Sequence, residues 1–368
     1  MSSLVARVSQ DSQAADEPLS GRPDVLVVGL GPAGACAAAA AAASGCRVLA
    51  VERRASIGEP VQCAELVSAA LSLQALPWDS VTLQRVTRMA TAVENEAPEI
   101  TEGFPGRMIS RRLFDRALAR RAADSGARLL LGTAVTRVFA DGRVQLSNHL
   151  IVNPRTLVGA DGPRSRIGAA VGRVNRELVA ARQVTVPLDD PYDATDIFLR
   201  PAFRGGYGWL FPKGREANLG IGVDYSSRDR LKPLLHGLHC DLVAAGRMAA
   251  GALPIALTGG LIPVGGRQRA VARLGETPVA LAGDAAGLTN PVTGAGIEAA
   301  VRSGELAGRA VAGWLSGKAQ RLDDYEEELA ELYDAAYARA SRHRRELLLD
   351  ASAAALRHGW ITSPDYWA

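Results

Sequence analysis

Aromatic residues and cysteines are scarce in this chain of 368 residues. Phe, Trp and Tyr together make up 5% of the chain, and there are only four cysteines. The cysteines show neither CxxC spacing nor the density of a disulfide framework, so neither a thiolate metal site nor a disulfide-stabilised module is expected. His236 and His239 lie three residues apart without a carboxylate-rich partner motif, which favours a half-exposed helix over a metal site.

Long apolar runs and a strong net charge are absent as well. No uninterrupted apolar segment approaches the length needed to cross a bilayer. Met1 to Ser20 is polar, which predicts a flexible tail rather than a signal peptide. The net charge of +3 is spread along the chain without a basic block, so nucleic-acid binding is not expected. We predict a cytoplasmic protein with one large domain or two interleaved domains.

The most informative pattern that is present lies near the start of the chain. A strand-like run from Asp24 to Val28 leads into Gly29-Leu30-Gly31-Pro32-Ala33-Gly34 and an Ala-rich helix, and a second apolar run ends on Glu52. The three glycines suit a tight turn, backbone approach to a pyrophosphate and close helix packing, while Glu52 would accept hydrogen bonds from a ribose. The unit predicts a dinucleotide site in a parallel α/β fold; an ordinary turn into a surface helix is the alternative.

A second glycine-lined strand end follows much later in the chain. The apolar run Pro278 to Ala282 continues into Gly283-Asp284, and Asn290 to Glu298 then leads into a helix. A carboxylate outside a buried strand, followed by glycines and a helix N-terminus, suits a polyol chain and a polar ring. Together with the first motif this predicts FAD, although the segment alone also fits a structural strand, turn and helix.

Residues 178 to 264 are predicted to be rich in β-strands. They contain short alternating or aromatic stretches separated by Pro and Gly, as in a sheet that caps a ligand site. Within them, Tyr207 to Gly214 holds three aromatic residues of an aromatic-poor chain. Such residues line a ligand site or fill the core of a sheet, and the pattern alone leaves both possibilities open.

Ordered motifs give the chain a resemblance to the geranylgeranyl reductase family, within a wider class of FAD proteins that includes the aromatic hydroxylases. The resemblance covers about Asp24 to Trp314. GEPVQC, which ends at Cys63, and YGWLFPKG, which begins at Tyr207, indicate the reductases. Ala285-Ala286 stands where hydroxylases often have Ala-His. The motifs shared with the wider class are GLGPAG at Gly29–Gly34, GADGPRS at Gly159–Ser165 and GDAAGLTNPVTGAGIEAA at Gly283–Ala300.

The resemblance implies an α/β fold with a Rossmann-like FAD-binding domain, an interleaved β-rich substrate domain and a C-terminal helical segment. The FAD domain would comprise residues 21–65, 105–172 and 270–318, the substrate domain 66–104 and 173–269, and the helical segment 319–368. The implied FAD-binding residues are Gly29, Gly31, Ala33, Gly34, Glu52, Arg53, Arg111, Val135, Asp161, Asp284, Gly294, Gly296 and Ile297. The implied substrate-binding residues, which would line an apolar tunnel, are Tyr207, Trp209, Phe211 and Pro212.

The implied reaction is the saturation of isolated C=C bonds in a geranylgeranyl or other polyprenyl chain, carried by a prenyl lipid or prenyl diphosphate. Reduced flavin would deliver hydride and an acid would protonate the second carbon. NAD(P)H or a ferredoxin would supply the electrons. Cys63 is the leading catalytic candidate, because the resemblance places its loop beside the flavin. Tyr207 and Glu65 are weaker proton sources, and Glu65 is more often a solvated loop carboxylate.

Two other functions stay open at this point. One is a flavin-dependent monooxygenase or halogenase acting on an aromatic or carrier-bound substrate, and the other is an isoprenoid-binding flavoprotein without turnover. The region from Leu322 has apolar residues at helical spacing, including Tyr325, Leu329 and Tyr333. It is best interpreted as an amphipathic helix packed on the body; covering of the tunnel and peripheral membrane contact are the alternatives.

Overall fold

The structure of the protein is a computed structural model. It describes residues 22–361 except 69–70, 72–75, 77, 189, 250, 252 and 318–321. The predicted flexible tail, Met1 to Ser20, lies outside the described residues.

The described part of the chain alternates strands and helices at both ends and is dominated by strands in between. The strands are β1 (Val25–Val28), β2 (Val48–Val51), β3 (Leu66–Ser68), β4 (Thr82–Val93), β5 (Glu99–Ile109), β6 (Arg128–Leu130), β7 (Val135–Val138), β8 (Val144–Leu146), β9 (Ile151–Val152), β10 (Thr156–Gly159), β11 (Leu178–Pro187), β12 (Ala194–Leu199), β13 (Gly208–Pro212), β14 (Glu216–Asp224), β15 (Ala256–Pro263), β16 (Val271–Leu274) and β17 (Thr277–Leu281). The α-helices are α1 (Pro32–Ala43), α2 (Trp78–Val81), α3 (Arg111–Asp124), α4 (Arg166–Ala170), α5 (Leu231–Ala244), α6 (Ile297–Leu315), α7 (Leu322–Leu349) and α8 (Ala353–Ile361).

A six-stranded sheet forms the first layer, in the order β16-β17-β10-β1-β2-β6. All neighbouring strands pair in parallel except β16 and β17, which pair antiparallel. Every residue of β1 and β2 is buried, as expected for strands covered by helices on both faces. The predicted strand, helix and strand around the first glycine motif are confirmed, and Glu52 directly follows β2.

Helices α1 and α6 pack together at backbone distance. A Cβ atom added at Gly304 would lie 2.1 Å from the carbonyl oxygen of Ala33, and one at Gly308 would lie 2.4 Å from that of Ala37. Only glycine on α6 and alanine on α1 permit such an approach. The two glycine-rich motifs predicted from the sequence are therefore brought together, because α1 begins within the first motif and α6 begins directly after Gly296 of the second.

The second layer is an eight-stranded mixed sheet in the order β15-β11-β14-β13-β12-β4-β5-β3. Its strands come from two stretches of chain, residues 66–109 and 178–263. The prediction of strands over residues 178–264 is confirmed for β11 to β15, but helix α5 interrupts them. Strand β13, which carries the aromatic motif, lies in the interior of the sheet between β14 and β12.

The C-terminal helix α7 confirms the helix predicted from Leu322. Tyr325 and Leu329 are buried in the same apolar core as β1, β2, β10 and β17. The Tyr325 hydroxyl donates a hydrogen bond of 2.7 Å to the carbonyl of Leu281 at the end of β17. Helix α8 follows and packs on α7. Among the described helices, none combines the length and the apolar character needed to cross a membrane.

Candidate active site

The three glycines of the first motif have three different local environments. Gly29 has a φ of +94°, and a Cβ there would lie 2.4 Å from the carbonyl oxygen of Ala160. A Cβ at Gly34 would lie 1.8 Å from the carbonyl oxygen of Gly29, whereas one at Gly31 would meet no atom within 4 Å. Gly29 and Gly34 therefore serve the turn and the close packing, while Gly31 leaves open space in front of α1.

The carboxylate of Glu52 is fixed at the end of β2. It accepts hydrogen bonds from the backbone N–H of Leu30 at 2.9 Å and of Arg54 at 3.0 Å. These bonds orient the carboxylate towards the loop that follows β1, where a ribose would have to lie. The neighbouring Arg53 is exposed.

Asp161 and Val135, two of the predicted FAD-binding residues, lie outside the cavity lining. The Asp161 carboxylate accepts hydrogen bonds from the Ser165 hydroxyl and from the N–H groups of Arg166 and Ile167, the latter two at 2.6 and 3.3 Å. It thus caps the start of α4. Burial raises the pKa of Asp161, and these hydrogen bonds offset part of the shift. Val135 is buried in β7 and pairs with Leu146; neither Asp161 nor Val135 lines the cavity described next.

A cavity of about 500 Å³ runs between the two sheets. Its wall at one end is the start of α1 and the loop before α6, and at the other end it is the aromatic face of β13. The sequence-predicted residues that line it are Gly31, Ala33, Cys63, Arg111, Tyr207, Trp209, Phe211, Asp284, Gly294, Gly296 and Ile297. The fold thus collects most of the predicted residues around one space.

Asp284 and Arg111 bring opposite charges to the cavity wall. Burial raises the pKa of Asp284, while a hydrogen bond from the Thr289 hydroxyl at 3.2 Å and the charge of Arg111 counteract the rise. The guanidinium of Arg111 makes two hydrogen bonds of 2.8 Å to the Asp115 carboxylate, one turn along α3. Arg111 is thereby held rigid beside the cavity.

Tyr207, which directly precedes β13, and Trp209 and Phe211 within the strand form an aromatic face towards the cavity, the aromatic face of β13. The ring centroids of Tyr207 and Trp209 are 5.8 Å apart, and those of Trp209 and Phe211 are 6.3 Å apart. A Cβ at Gly220 on the neighbouring strand would lie 2.3 Å from the indole, so glycine there makes room for the Trp209 ring. Pro212 is buried but not among the lining residues. The expectation that it lines the tunnel is therefore corrected, because successive strand residues face opposite sides.

Cys63 lies in the cavity wall between Arg111 and the aromatic face. Its carbonyl accepts a hydrogen bond of 3.2 Å from the Gln183 amide, whose oxygen accepts one of 3.0 Å from the Trp209 indole. The Cys63 side chain also neighbours those of Arg111 and Tyr207, and its Sγ accepts a hydrogen bond of 3.2 Å from the N–H of Glu65. Sequence reasoning did not identify Gln183, which ties the cysteine loop to β13.

Glu65 is buried, so the expectation of a solvated loop carboxylate is wrong. Its side chain is 5% exposed and forms an ion pair of 3.0 Å with Lys213, whose side chain is 14% exposed. The same carboxylate accepts hydrogen bonds from the amide of Asn218 at 3.1 Å and from the N–H of Arg111 at 3.0 Å. The residue has a φ of +69°, uncommon outside glycine. This ion pair fixes the Cys63 loop between β13 and α3.

We expect the substitution Lys213→Met to destabilise the protein by about 3 kcal/mol, because it leaves the buried Glu65 carboxylate without its counter-charge. Urea unfolding of the purified protein measures the difference. Lys232→Met is the matched control, since Lys232 is exposed on α5 and its loss should change the free energy of unfolding by less than about 0.5 kcal/mol. Equal effects of the two substitutions would contradict a structural ion pair.

Helix α7 contributes a part of the cavity wall that motif reasoning missed. Leu332, Tyr333, Ala336 and Tyr337 all line the cavity. They lie at spacings of one, four and five residues, so they share one face of the helix. The helical spacing of Tyr325, Leu329 and Tyr333 was a sequence signal, but nothing in the sequence indicated which surface the helix covers. Of the interpretations left open, packing on the body and covering of the cavity both apply.

The residues of the cavity fit FAD. Helix α1 presents its first N–H groups beside the open space at Gly31, which suits a pyrophosphate. Asp284 and the loop from Gly294 to Ile297 offer a carboxylate and backbone groups at the same cavity. The volume lies in the range of small-molecule sites. When bound, FAD supplies hydride chemistry that none of the side chains can provide.

Comparison with known protein families supports the same cofactor. Residues 24–156 match the family described as FAD dependent oxidoreductase, and residues 260–340 match the family described as FAD binding domain. The two matches cover β1, α1 and β2 at one end and β17 and α6 at the other, which together surround the glycine side of the cavity.

Several proteins of known name are similar to the chain over most of its length. Digeranylgeranylglycerophospholipid reductase 2 of Methanopyrus kandleri is 37% identical over 308 residues, which are 78% of this chain and 76% of that protein. Digeranylgeranylglycerophospholipid reductase of Methanosarcina acetivorans is 30% identical, covering 89% of this chain and 83% of the relative.

Solved structures show the same fold. A geranylgeranyl bacteriochlorophyll reductase-like protein from Thermoplasma acidophilum superposes with a TM-score of 0.79 at 27% identity, over 91% of this chain and 89% of the other. A probable FAD-dependent monooxygenase from Pseudomonas aeruginosa superposes with a TM-score of 0.68 at 18% identity, over 93% of this chain and 100% of the other. The second likeness concerns the fold alone.

Proposed function

We propose that this chain, which belongs to the geranylgeranyl reductase family of FAD-dependent oxidoreductases, saturates isolated C=C bonds in the prenyl chain of a lipid or prenyl diphosphate. The two relatives compared by sequence are named digeranylgeranylglycerophospholipid reductases. The observation that carries the proposal is the aromatic face of β13, which lies across the same cavity as the glycine loops of α1 and α6. Cofactor and apolar chain thereby share one space.

The binding of the cofactor would be divided among the two glycine-rich loops and three charged residues. Glu52 would bind the adenosine ribose and Arg111 the phosphates, while Asp284 would bind the ribityl chain. We further propose that the six-stranded sheet forms the FAD domain and the eight-stranded sheet the substrate domain. Asp161 and Val135 would act indirectly, by holding α4 and β7.

An alkene chain offers no polar group to hold, so its position would depend on burial against apolar side chains. Each square ångström of apolar surface removed from water contributes about 25 cal/mol. Tyr207, Trp209 and Phe211 provide a continuous apolar wall, and their ring faces would favour positive charge that develops on a carbon during protonation. Water exclusion by the same wall would prevent side reactions.

Cys63 is the residue that we propose as proton source. Of the acidic groups suggested by the sequence, Glu65 forms an ion pair with Lys213 and does not line the cavity. Tyr207 lines it, but its hydroxyl donates to the carbonyl of Thr293 at 2.5 Å, and burial raises the pKa of Tyr207 well above its usual value. The Cys63 thiol lies at the junction of the cofactor end and the aromatic face.

We propose that NAD(P)H or a ferredoxin supplies the electrons that reduce the flavin. A cytoplasmic location with at most peripheral membrane contact fits the same proposal. Flotation with anionic liposomes tests the peripheral membrane contact. Recovery of all the protein in the soluble fraction would exclude it.

The decisive experiment is anaerobic. The purified protein with FAD is reduced with dithionite, geranylgeranyl diphosphate or a digeranylgeranylglycerophospholipid is added, and flavin reoxidation is followed together with the mass of the lipid. We expect reoxidation without oxygen and a gain of two mass units for each double bond. Reoxidation only with O2 and oxygen in the product would instead support a monooxygenase, and a bound but unreduced lipid would support a binding protein.

A further inference from the structure

A second, smaller pocket continues from the cavity behind Tyr207. The two share Gly205, Gly206, Tyr207 and Val292 as lining residues. The far wall of the small pocket is formed by α7 and α8, where the Trp360 ring lies 4.8 Å from that of Tyr207, centroid to centroid. A chain that follows the aromatic face past Tyr207 would therefore enter this pocket.

Three arginines, Arg200, Arg204 and Arg344, are among the residues that line this second pocket, which we call the arginine pocket. None of its lining residues in the described part of the chain is acidic. The nearest compensating carboxylates lie outside the lining: Asp224 is 3.4 Å from Arg344, and Asp241 is 2.5 Å from Arg200. The pocket thus combines apolar walls with excess positive charge.

Arg344 is buried with incomplete compensation. The residue is 3% exposed; its Nη1 donates to the carbonyl of Gly205 and its Nη2 reaches Asp224 only at 3.4 Å. Its Nε has no hydrogen-bond partner among the described residues, and the same holds for the Nε of Arg200. Burial lowers the pKa of Arg344, and the charges of Asp224 and Glu177 together offset only a part of this shift. Burying a guanidinium whose N–H groups lack acceptors costs free energy, unless a bound anion accepts their hydrogen bonds and balances the charge.

We propose that the arginine pocket binds the phosphate group of the prenyl lipid substrate, with Arg344 as its main contact and the prenyl chain extending past Tyr207 along the aromatic face. This inference rests on the proposed function and narrows it to substrates with a phosphate headgroup, as opposed to neutral prenyl quinones or esters. Guanidinium groups match phosphate oxygens in geometry as well as charge. The pocket has a volume of about 20 Å³, so α8 has to move outward to admit the headgroup.

Binding of a charged and a neutral ligand of equal chain length tests the proposal. Dissociation constants for geranylgeranyl phosphate and geranylgeraniol are measured by equilibrium dialysis with the FAD-loaded protein. We expect Arg344→Met to weaken binding of the phosphate at least about 10-fold, the effect of losing one charge-assisted contact, and to change binding of the alcohol less than about twofold. Arg344→Lys should give an intermediate value.

Two further variants keep the test independent of folding. Arg204 is exposed, so the Arg204→Gln variant should fold and bind the phosphate about threefold more weakly. An unchanged Tm of the variant shows that its fold is intact. Arg309→Gln is the matched control, because Arg309 is exposed on α6 away from the pocket. Equal losses for phosphate and alcohol, or no loss for either, would overturn the proposal.

Inorganic phosphate distinguishes a headgroup site from a free-phosphate site. We expect it to displace geranylgeranyl phosphate only in large excess, since it lacks the chain. Displacement at equal concentration would overturn the assignment to a lipid headgroup. A wild-type protein that shows the charge-dependent binding but reduces neither ligand would refute the proposed reductase function and leave the phosphate site intact.

Discussion

The variant Gly31→Val is expected to fold normally and to bind FAD at least about tenfold more weakly, which corresponds to a loss of about 1.4 kcal/mol. Gly31 has ordinary extended dihedral angles, φ −70° and ψ −175°, and a Cβ there meets no atom within 4 Å. Among the described residues, no atom lies close enough to resist the added Cβ. The added methyl groups would occupy the space in front of α1 where a pyrophosphate needs backbone contact.

The matched substitution three residues further on should give the opposite result. At Gly34, even the single methyl group of alanine would lie 1.8 Å from a carbonyl oxygen. We expect Gly34→Ala to lower the free energy of unfolding by about 3 kcal/mol or more, the upper range of overpacking effects. Flavin absorbance after gel filtration measures FAD, and urea unfolding measures stability. An unfolded Gly31→Val protein, or one that retains FAD fully, would contradict the division of roles between the two glycines.

Cys63→Ala is expected to reduce turnover at least about 100-fold while FAD content and lipid binding stay within about twofold of the wild type. A positioned proton donor contributes about 10²- to 10⁴-fold to a rate. The thiol accepts a hydrogen bond of 3.2 Å from the N–H of Glu65, which the variant loses, but the Gln183 amide still donates to the Cys63 carbonyl and Lys213 still pairs with Glu65. The loop should therefore keep its place, and the loss should appear in the single-turnover rate of lipid reduction.

Cys63→Ser separates proton donation from volume, since serine keeps a donor of similar size and should retain more activity than alanine. Cys240→Ser is the control, because Cys240 is exposed on α5 and lies in a different part of the protein. A Cys63→Ala variant that reduces lipid at the wild-type rate would exclude the thiol as proton source. A variant that loses its FAD would indicate a role in cofactor binding instead.

The FAD side of the site could be predicted from sequence because its determinants are local. The positive φ of Gly29, the packing of Gly34 against the Gly29 carbonyl and the strand that ends before Glu52 all follow from rules that act within about 25 residues. The aromatic face of β13 was predictable for the same reason, since alternation along one strand sets which residues face together. The same rule excludes Pro212, although motif resemblance had grouped it with the other three residues.

The sequence by itself determined the class of cofactor and the parallel sheet. It also determined which residues of the two glycine-rich motifs face the cofactor site. Only the tertiary structure decided what the remaining surfaces contact. Lys213 reaches Glu65 across 148 residues of chain, and Arg344 reaches the carbonyl of Gly205 across 139. Helix α7 shows its amphipathic spacing in sequence, yet which cavity it covers depends on how the packed sheets place it. Such pairings carry no local signal, because a buried charge is defined by the partner that folding brings to it.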